Sequence, residues 1–526
     1  MPVRQRCPSC REPGRQLTAA LPTLALLALL AGCATPAIDP QHTLKRWTQL
    51  GAGGSISLRA IVGAADECPT AIVDGQLRRL SPRATATPLA GSDTRTTGNP
   101  AFDADFAVTA CELTLPASAR QATIDGQPMP MPRADPRRIV VVGDTGCRIK
   151  VPASGAADPI QDCSSPTAWP WQRIAAAAAR TQPDLVIHLG DYHYREYCDN
   201  PARCAPLHEK DVLIGYGWAG WNADFFAPAA ALLAAAPWIV VRGNHENCDR
   251  AGEGWMRFLS PMPYRPCPNQ VYKTASQSLL ANNLTAAAYR IDLGRLRLVV
   301  ADNAAAQDYR PASATPGDGE VFAHTLAALQ SLPVERSAWL LIHKPLWYDL
   351  LDPAAQPNAL QANLQQTLPD RVPFIFSGHE HAFQTINFAR TADPLKHPAG
   401  RPAQIIVGAS GTQLEAFDPL SPFYERSAGS QERAQPDGRR YDGVAASSGI
   451  VLNRYSFLLL ESTDDGWAAT LIDGDGNPID RCRLDEQGKE IRCDFPANRQ
   501  AVEVTLSAPS PGAGMAGAPR PRHGSR

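Results

Sequence analysis

Five short apolar runs, each ending in a side chain able to bind a metal ion, constrain this chain more than any other feature. Residues 138–142 run into Gly143-Asp144-Thr145-Gly146, and 185–189 into Gly190-Asp191-Tyr192-His193-Tyr194. Residues 238–242 run into Gly243-Asn244-His245-Glu246, 338–342 end at His343, and 373–377 run into Gly378-His379-Glu380-His381. In open α/β sheets the carboxyl ends of the strands line the ligand crevice, so five such ends can converge on one site. Carboxylate, amide oxygen, phenol and imidazole together suit two hard-to-borderline cations. A glycine before each of four ligand loops removes a Cβ where the chain turns sharply out of its strand. Taken singly, each piece has a plainer meaning. The two Asp-containing turns can be ordinary strand ends, His343 a core histidine and Tyr194 a packing residue. Their joint order and spacing is what points to a site. His188 and His193 are left without a role, since either can replace a neighbouring ligand. Trp339, Trp347 and Tyr348 fit core packing better than a substrate cleft.

The rest of the chain frames this core. Alanine-rich helical stretches at 171–180, 225–235 and 322–332 alternate with the strands, which argues an α/β domain over 136–475. Before it, residues 33–135 carry short alternating runs punctuated by Pro, Gly and Thr, read as a small N-terminal β domain with a linker. After it, 476–503 reads as a disulfide-clipped β hairpin, and 504–526 as a disordered Pro/Gly/Ala tail. The 48 prolines in 526 residues speak for loops and short strands over a helical bundle. With 50 basic against 52 acidic residues, a formal charge of −2, nothing draws in a polyanion, so nucleic acid is excluded as a main partner. No protein partner is expected.

Arg4, Arg6, Arg11 and Arg15 precede an apolar stretch at 17–31, an export-signal pattern too short for a membrane span. Leu30-Ala31-Gly32-Cys33 looks like the lipobox of bacterial lipoproteins. The expectation is a signal peptide at 1–32, a lipid on Cys33, and a mature protein in the bacterial outer membrane or periplasm; the plainer alternative is an ordinary cleaved signal. Removing Cys7, Cys10 and Cys33 from 13 cysteines leaves ten, an even number suited to an oxidising compartment. Neighbour pairing is expected: Cys68–Cys111, Cys147–Cys163, Cys198–Cys204, Cys248–Cys267 and Cys482–Cys493. A structural zinc site competes with this, but no C-x-x-C spacing remains after the signal.

The five blocks resemble the calcineurin-like metallophosphoesterases, and within them the purple acid phosphatase branch, which reads GDxG, GDxxY, GNH, a lone His and GHxH. All five occur in order over about 138–388. The wider superfamily has a histidine where this chain has Gly146, and Tyr194 takes its place, as in that branch. One departure is that no second histidine follows His343 in Lys344-Pro345-Leu346-Trp347-Tyr348-Asp349. The resemblance implies an α/β fold of αββα four-layer type and a dinuclear centre. One metal would be held by Asp144, Tyr194 and His381, the other by Asn244, His343 and His379, with Asp191 bridging. It further implies Fe(III) beside a divalent Fe, Zn or Mn, and a small phosphate-ester substrate. His245 would orient the phosphate or protonate the leaving group. Phosphomonoester hydrolysis is the reading adopted. The alternatives are a phosphodiesterase or nucleotidase on the same site, and a non-catalytic surface protein with a degraded one.

Overall fold

The runs that precede the candidate ligands are rich in β-branched and aromatic residues, which pack well on a pleated surface. Each is a strand: Arg138–Val142, Leu185–His188, Trp238–Val240, Trp339–Leu341 and Phe374–Ser377. The computed structural model describes residues 43–87, 105–153, 160–267, 288–306, 318–333, 336–347, 368–388, 400–415, 440–441 and 444–494. The signal region, Cys33, Tyr348 and the 504–526 tail lie outside them.

Two large sheets hold the five runs. The first orders its eleven strands as Glu490–Asp494, Pro478–Asp485, Gly466–Ile472, Phe457–Thr463, Arg138–Val142, Leu185–His188, Trp238–Val240, Thr43–Leu50, Ile56–Gly63, Val108–Leu115 and Ser81–Ala84. Its middle is parallel, with Val141 opposite Ile187 and Ile187 opposite Ile239. The second orders eight as Tyr289–Leu293, Leu296–Val300, Trp339–Leu341, Phe374–Ser377, Ala403–Val407, Phe383–Phe388, Val444–Leu452 and Arg440–Tyr441. Here Leu296–Val300 through Ala403–Val407 run parallel.

Successive side chains of a strand face opposite ways, and this alternation builds the layers. Ile139, Val141, Ile187 and Ile239 share one core with Leu298, Leu341, Phe376 and Ile405, so the two sheets pack face to face. Val140, Val142, Val186 and Trp238 form a second core with Trp171, Ile174 and Leu232, from helices Trp171–Arg180 and Ala230–Ala235. Beyond the second sheet, Val299, Leu340 and Ile375 pack with Leu329 of helix Asp318–Gln330. The four layers are those expected. Trp339 and Trp347 are buried core residues.

The N-terminal region is β structure, as read from sequence, but most of it does not stand apart. Thr43–Leu50 pairs in parallel with Trp238–Val240, Gln49 lying opposite Trp238, and the next strands extend the same sheet. The physical reason is burial. Residues 56–62 are buried without interruption, so the strand Ile56–Gly63 needs cover on both faces, which the adjoining layers supply. Among the described residues of this region, only Gln76–Arg79, Thr70–Val73, Ala122–Ile124 and Gln127–Pro128 form a separate small sheet. The C-terminal hairpin likewise continues the first sheet at its other edge.

Two arginines tie the N-terminal strands to the site region. Arg59 donates to the Phe258 and Ser260 carbonyls at 2.9 and 3.1 Å, and Arg83 to those of Met256 and Arg257 at 3.0 and 3.1 Å. Each also lies 2.9 Å from a Glu112 carboxylate oxygen. The guanidinium groups thereby satisfy carbonyls at the end of helix Gly252–Phe258, where no intrahelical donor remains. All five expected disulfides are present. Cys147–Cys163 and Cys248–Cys267 leave directly from the loops that follow Asp144 and His245. Among the described residues, no helix is long and apolar enough to cross a membrane.

Candidate metal centre

Each ligand loop begins where a parallel strand ends, and in three of them the backbone is bent out of the ordinary regions. Asp144, Asp191 and His379 have φ of 54°, 59° and 73°, a left-handed conformation that side chains other than glycine rarely adopt. Such strain persists only where the surroundings over-determine it. Asp144 N donates to the Gly190 carbonyl at 3.0 Å, Asp191 N to Glu246 Oε2 at 3.0 Å, and His379 N to Asp144 Oδ2 at 2.9 Å. Gly190, at φ 105°, has no room for a side chain: a Cβ would strike His343 Nδ1 and Gly243.

The structure brings all seven sequence-predicted ligands together. Tyr194 Oη lies 2.6 Å from Asp191 Oδ2, 2.8 Å from His381 Nε2 and 3.4 Å from Asp144 Oδ1. Beside this cluster, Asn244 Oδ1 lies 2.9 Å from both His343 Nε2 and His379 Nδ1. Asp191 Oδ2 joins the two, being also 3.2 Å from His343 Nε2. One ligand atom from each of Asp191, His343 and His379 falls within 4.8 Å of the others, a spacing open to a metal ion.

Backbone carbonyls aim two of the imidazoles. His343 Nδ1 is 2.8 Å from the Leu189 carbonyl and His381 Nδ1 is 2.8 Å from that of Gln413. A carbonyl only accepts, so Nδ1 carries a proton in both rings and Nε2 is the nitrogen that faces the centre.

The electrostatics suit a cation. Burial, and then the charge of Asp191, push the Asp144 carboxyl well above the usual carboxylate range. The same two causes push the Tyr194 phenol well up. Asp191 itself, although burial acts the other way, is held well below its ordinary range by the imidazoles of His343 and His245. Two carboxyls and a phenol crowded out of water, with imidazole nitrogens beside them, are a donor set that positive charge would stabilise. The residues present therefore fit two metal ions.

His245 stands beside this set. Its backbone N donates to Asp191 Oδ1 at 2.9 Å, its Nε2 is 4.0 Å from Asp191 Oδ2, and its ring lies 3.6 Å from that of Tyr194 between centroids. Burial, and then Arg250, lower its imidazole to about 4. The rings of His188 and His193 are engaged by other partners. His188 is buried between Thr145 Oγ1 and Gly190 N, stacked on Tyr192, and bridges the two Asp loops. His193 Nε2 lies 2.9 Å from the Gly215 carbonyl.

Sequence reasoning missed the residues that brace the ligands. Glu246 accepts from the backbone N–H groups of Asp191, Tyr192, His193 and Gly243 at 2.9–3.2 Å, locking two ligand loops together. Asn303 Oδ1 accepts from His343 N and Lys344 N, both at 3.0 Å. Glu196 and Arg250 flank His245: Glu196 Oε1 is 3.1 Å from His245 Nδ1 and 2.5 Å from Arg250 Nε. The one available signal was an acid directly after Gly243-Asn244-His245 and another two residues after Tyr194.

The calcineurin-like phosphoesterase family model matches residues 137–383. Purple acid phosphatase 23 of Arabidopsis thaliana is 24% identical over 319 residues, 58% of this chain and 59% of its own length. The chain thus spans about three fifths of that curated relative. Among solved structures, a purple acid phosphatase from yellow lupin (Lupinus luteus) seeds shares the fold, with TM-score 0.50 at 16% identity, covering 84% of this chain and 74% of that one.

Proposed function

From the premise that residues 137–383 form a calcineurin-like metallophosphoesterase domain, we propose that the chain hydrolyses phosphomonoesters at a dinuclear metal centre. The observation that carries this reading is the position of Asp191, whose carboxylate lies within 3.2 Å of a donor from each of two neighbouring ligand clusters. Asp144, Tyr194 and His381 would hold one cation, Asn244, His343 and His379 the other, with Asp191 between them. Two cations held there would supply positive charge opposite the phosphoryl oxygens and would lower the pKa of water, so that hydroxide is available for attack at mild pH.

The chain's own residues do the rest. The Leu189 and Gln413 carbonyls keep the protons of His343 and His381 on the outward nitrogens, so both rings remain acceptors toward the centre. Glu246 keeps the Asp191 and Asn244 loops in register. His245 is beside the centre but outside the ligand set, placed to meet the ester and to hold or hand over a proton at the leaving oxygen. Its low intrinsic basicity rises when a phosphate dianion lies against it, because a neighbouring negative charge favours the imidazolium.

The donor set also supports a choice of ions. Phenolate and carboxylate oxygens favour a trivalent iron beside Tyr194, and the neutral Asn244, His343 and His379 favour a divalent iron, zinc or manganese. Five disulfides fit an oxidising compartment. Cys33 is inferred to carry a lipid: Cys33→Ala should release soluble protein from exporting cells, and equal fractionation of both forms would end that inference.

The experiment that tests the main reading is elemental analysis of the purified protein together with hydrolysis of p-nitrophenyl phosphate and bis(p-nitrophenyl) phosphate across pH. Two equivalents of metal and preference for the monoester are expected. A protein that preferred the diester would be a phosphodiesterase, and one that bound no metal and hydrolysed neither would be a non-catalytic member of the fold.

A further inference from the structure

The ligands of the centre and the residues that flank it differ in what solvent can reach. Side chains of Asp144, Asp191 and His343 are 0–1% exposed, whereas those of His245 and Arg250 are 14% and 19% exposed. These two form part of the accessible rim over a buried floor. Arg250 is held firmly at one end only. Its Nε meets Glu196 Oε1, and Glu196 is itself 1% exposed, so the guanidinium cannot swing away without stranding a buried carboxylate.

The other end of Arg250 is engaged by weaker partners. Nη2 lies 2.6 and 2.9 Å from the two ring nitrogens of His245, and Nη1 reaches the Asn244 carbonyl only at 3.5 Å, beyond ordinary hydrogen-bond length. A guanidinium only donates, and His245 Nδ1 faces the Glu196 carboxylate at 3.1 Å, so Nε2 alone is left to offer a lone pair, a neutral acceptor. A phosphoryl group is a far better one: its oxygens are charged and spaced for the planar fork, and charge-assisted bonds are roughly twice as strong as neutral ones.

We propose that Arg250, anchored by Glu196, binds the phosphoryl oxygens of the substrate beside His245 and selects for a dianionic phosphate. This rests on the phosphoester-hydrolase reading above. When the dianion takes the Nη edge, Arg250 exchanges its contact with His245 for one with the phosphoryl oxygens. Glu196 is then a positioning residue: it fixes where the fork points and touches no substrate.

The test uses the full metal-loaded chain, with inorganic phosphate as the probe for binding and p-nitrophenyl phosphate and bis(p-nitrophenyl) phosphate as dianionic and monoanionic esters. In Arg250→Ala, metal content should stay at the wild-type value. The phosphate dissociation constant and the monoester KM should rise about 10–100-fold, the range for losing hydrogen bonds to a charged group. The diester KM should change several-fold less, and Arg250→Lys should fall between, because a point charge lacks the fork. Unchanged phosphate binding in both variants, or equal losses on the two esters, would overturn the assignment while wild-type hydrolysis kept the underlying reading intact. A wild type that binds no phosphate and cleaves neither ester would remove both. If Arg250→Ala does not fold, Arg250→Lys decides, since it keeps a cation against Glu196: a phosphate affinity equal to wild type refutes the role of the fork.

Discussion

The two halves of the centre are built from the same kind of loop yet differ in charge and in access. Asp144, Tyr194 and His381 are buried and bring two ionisable oxygens, while Asn244 and His379 are half-buried and, with His343, bring only neutral donors. A protein that needed only two equivalent cations would have no use for this asymmetry. On the proposed reading, the buried anionic half would compensate a higher ionic charge and hide it from exchange. The neutral, more open half suits an ion that meets the substrate and exchanges with solution.

The widest break in this comparison comes from the residue both halves share. Asp191→Ala should lose both cations and reduce hydrolysis to background, because without the carboxylate two positive ions face each other at close range. Retention of two equivalents by elemental analysis would show that the halves are independent. His245→Ala should keep both ions and lose about 10²–10⁴-fold in turnover, with alkyl phosphates suffering more than p-nitrophenyl phosphate, whose anion departs unprotonated. Metal loss in this variant, or an unchanged alkyl-to-aryl ratio, would refute the separation of ligand from acid–base group.

Tyr194→Phe sharpens the contrast between the halves themselves. A ferric ion bound to phenolate gives a visible charge-transfer band, so the variant should be colourless while the Asn244 half still takes up a divalent ion. A colourless wild type with two zinc ions would remove the charge argument. Treatment with a chelator should remove one equivalent quickly and the second slowly, and a single rate for both would show that burial does not set the exchange. The smallest effect lies far from either half. Glu112, which burial pushes up but Arg59 and Arg83 hold below its ordinary 4.5, adds stability that is full above that value and is lost as pH falls through its folded pKa. Glu112→Gln should therefore lower the melting temperature at neutral pH, with the gap from wild type closing below about pH 4.5 and metal content unaltered.

The floor of this site was legible because each ligand follows its strand within a few residues, with a glycine before it in all but the His343 loop. Strand, turn and donor are one local unit, and their order survives in the sequence. The braces were not, since Glu246 reaches back to Asp191 and Arg250 to Glu196 across 55 and 54 residues of chain. Nothing in local pattern marks such a reach. His188 stayed ambiguous for the same reason: whether its ring faces the centre or the Thr145 hydroxyl depends on the sheet it stands in. The N-terminal strands were recognised as strands, while their membership of the central sheet depended on a partner, Trp238–Val240, far along the chain.

That partner has a kinetic meaning. Thr43–Leu50 is an inner strand, with Trp238–Val240 on one side and Ile56–Gly63 on the other. Its second neighbour does not exist until almost two hundred residues later have been delivered, so the sheet cannot be assembled in the order in which the chain emerges. An early hairpin of the first two strands exposes an apolar edge that invites pairing with another chain. Loop closure over such a distance is slow, as it is for any fold dominated by distant contacts. Refolding from denaturant should accordingly be slow and concentration-sensitive, and a vectorial supply of chain gains nothing until Trp238–Val240 is present.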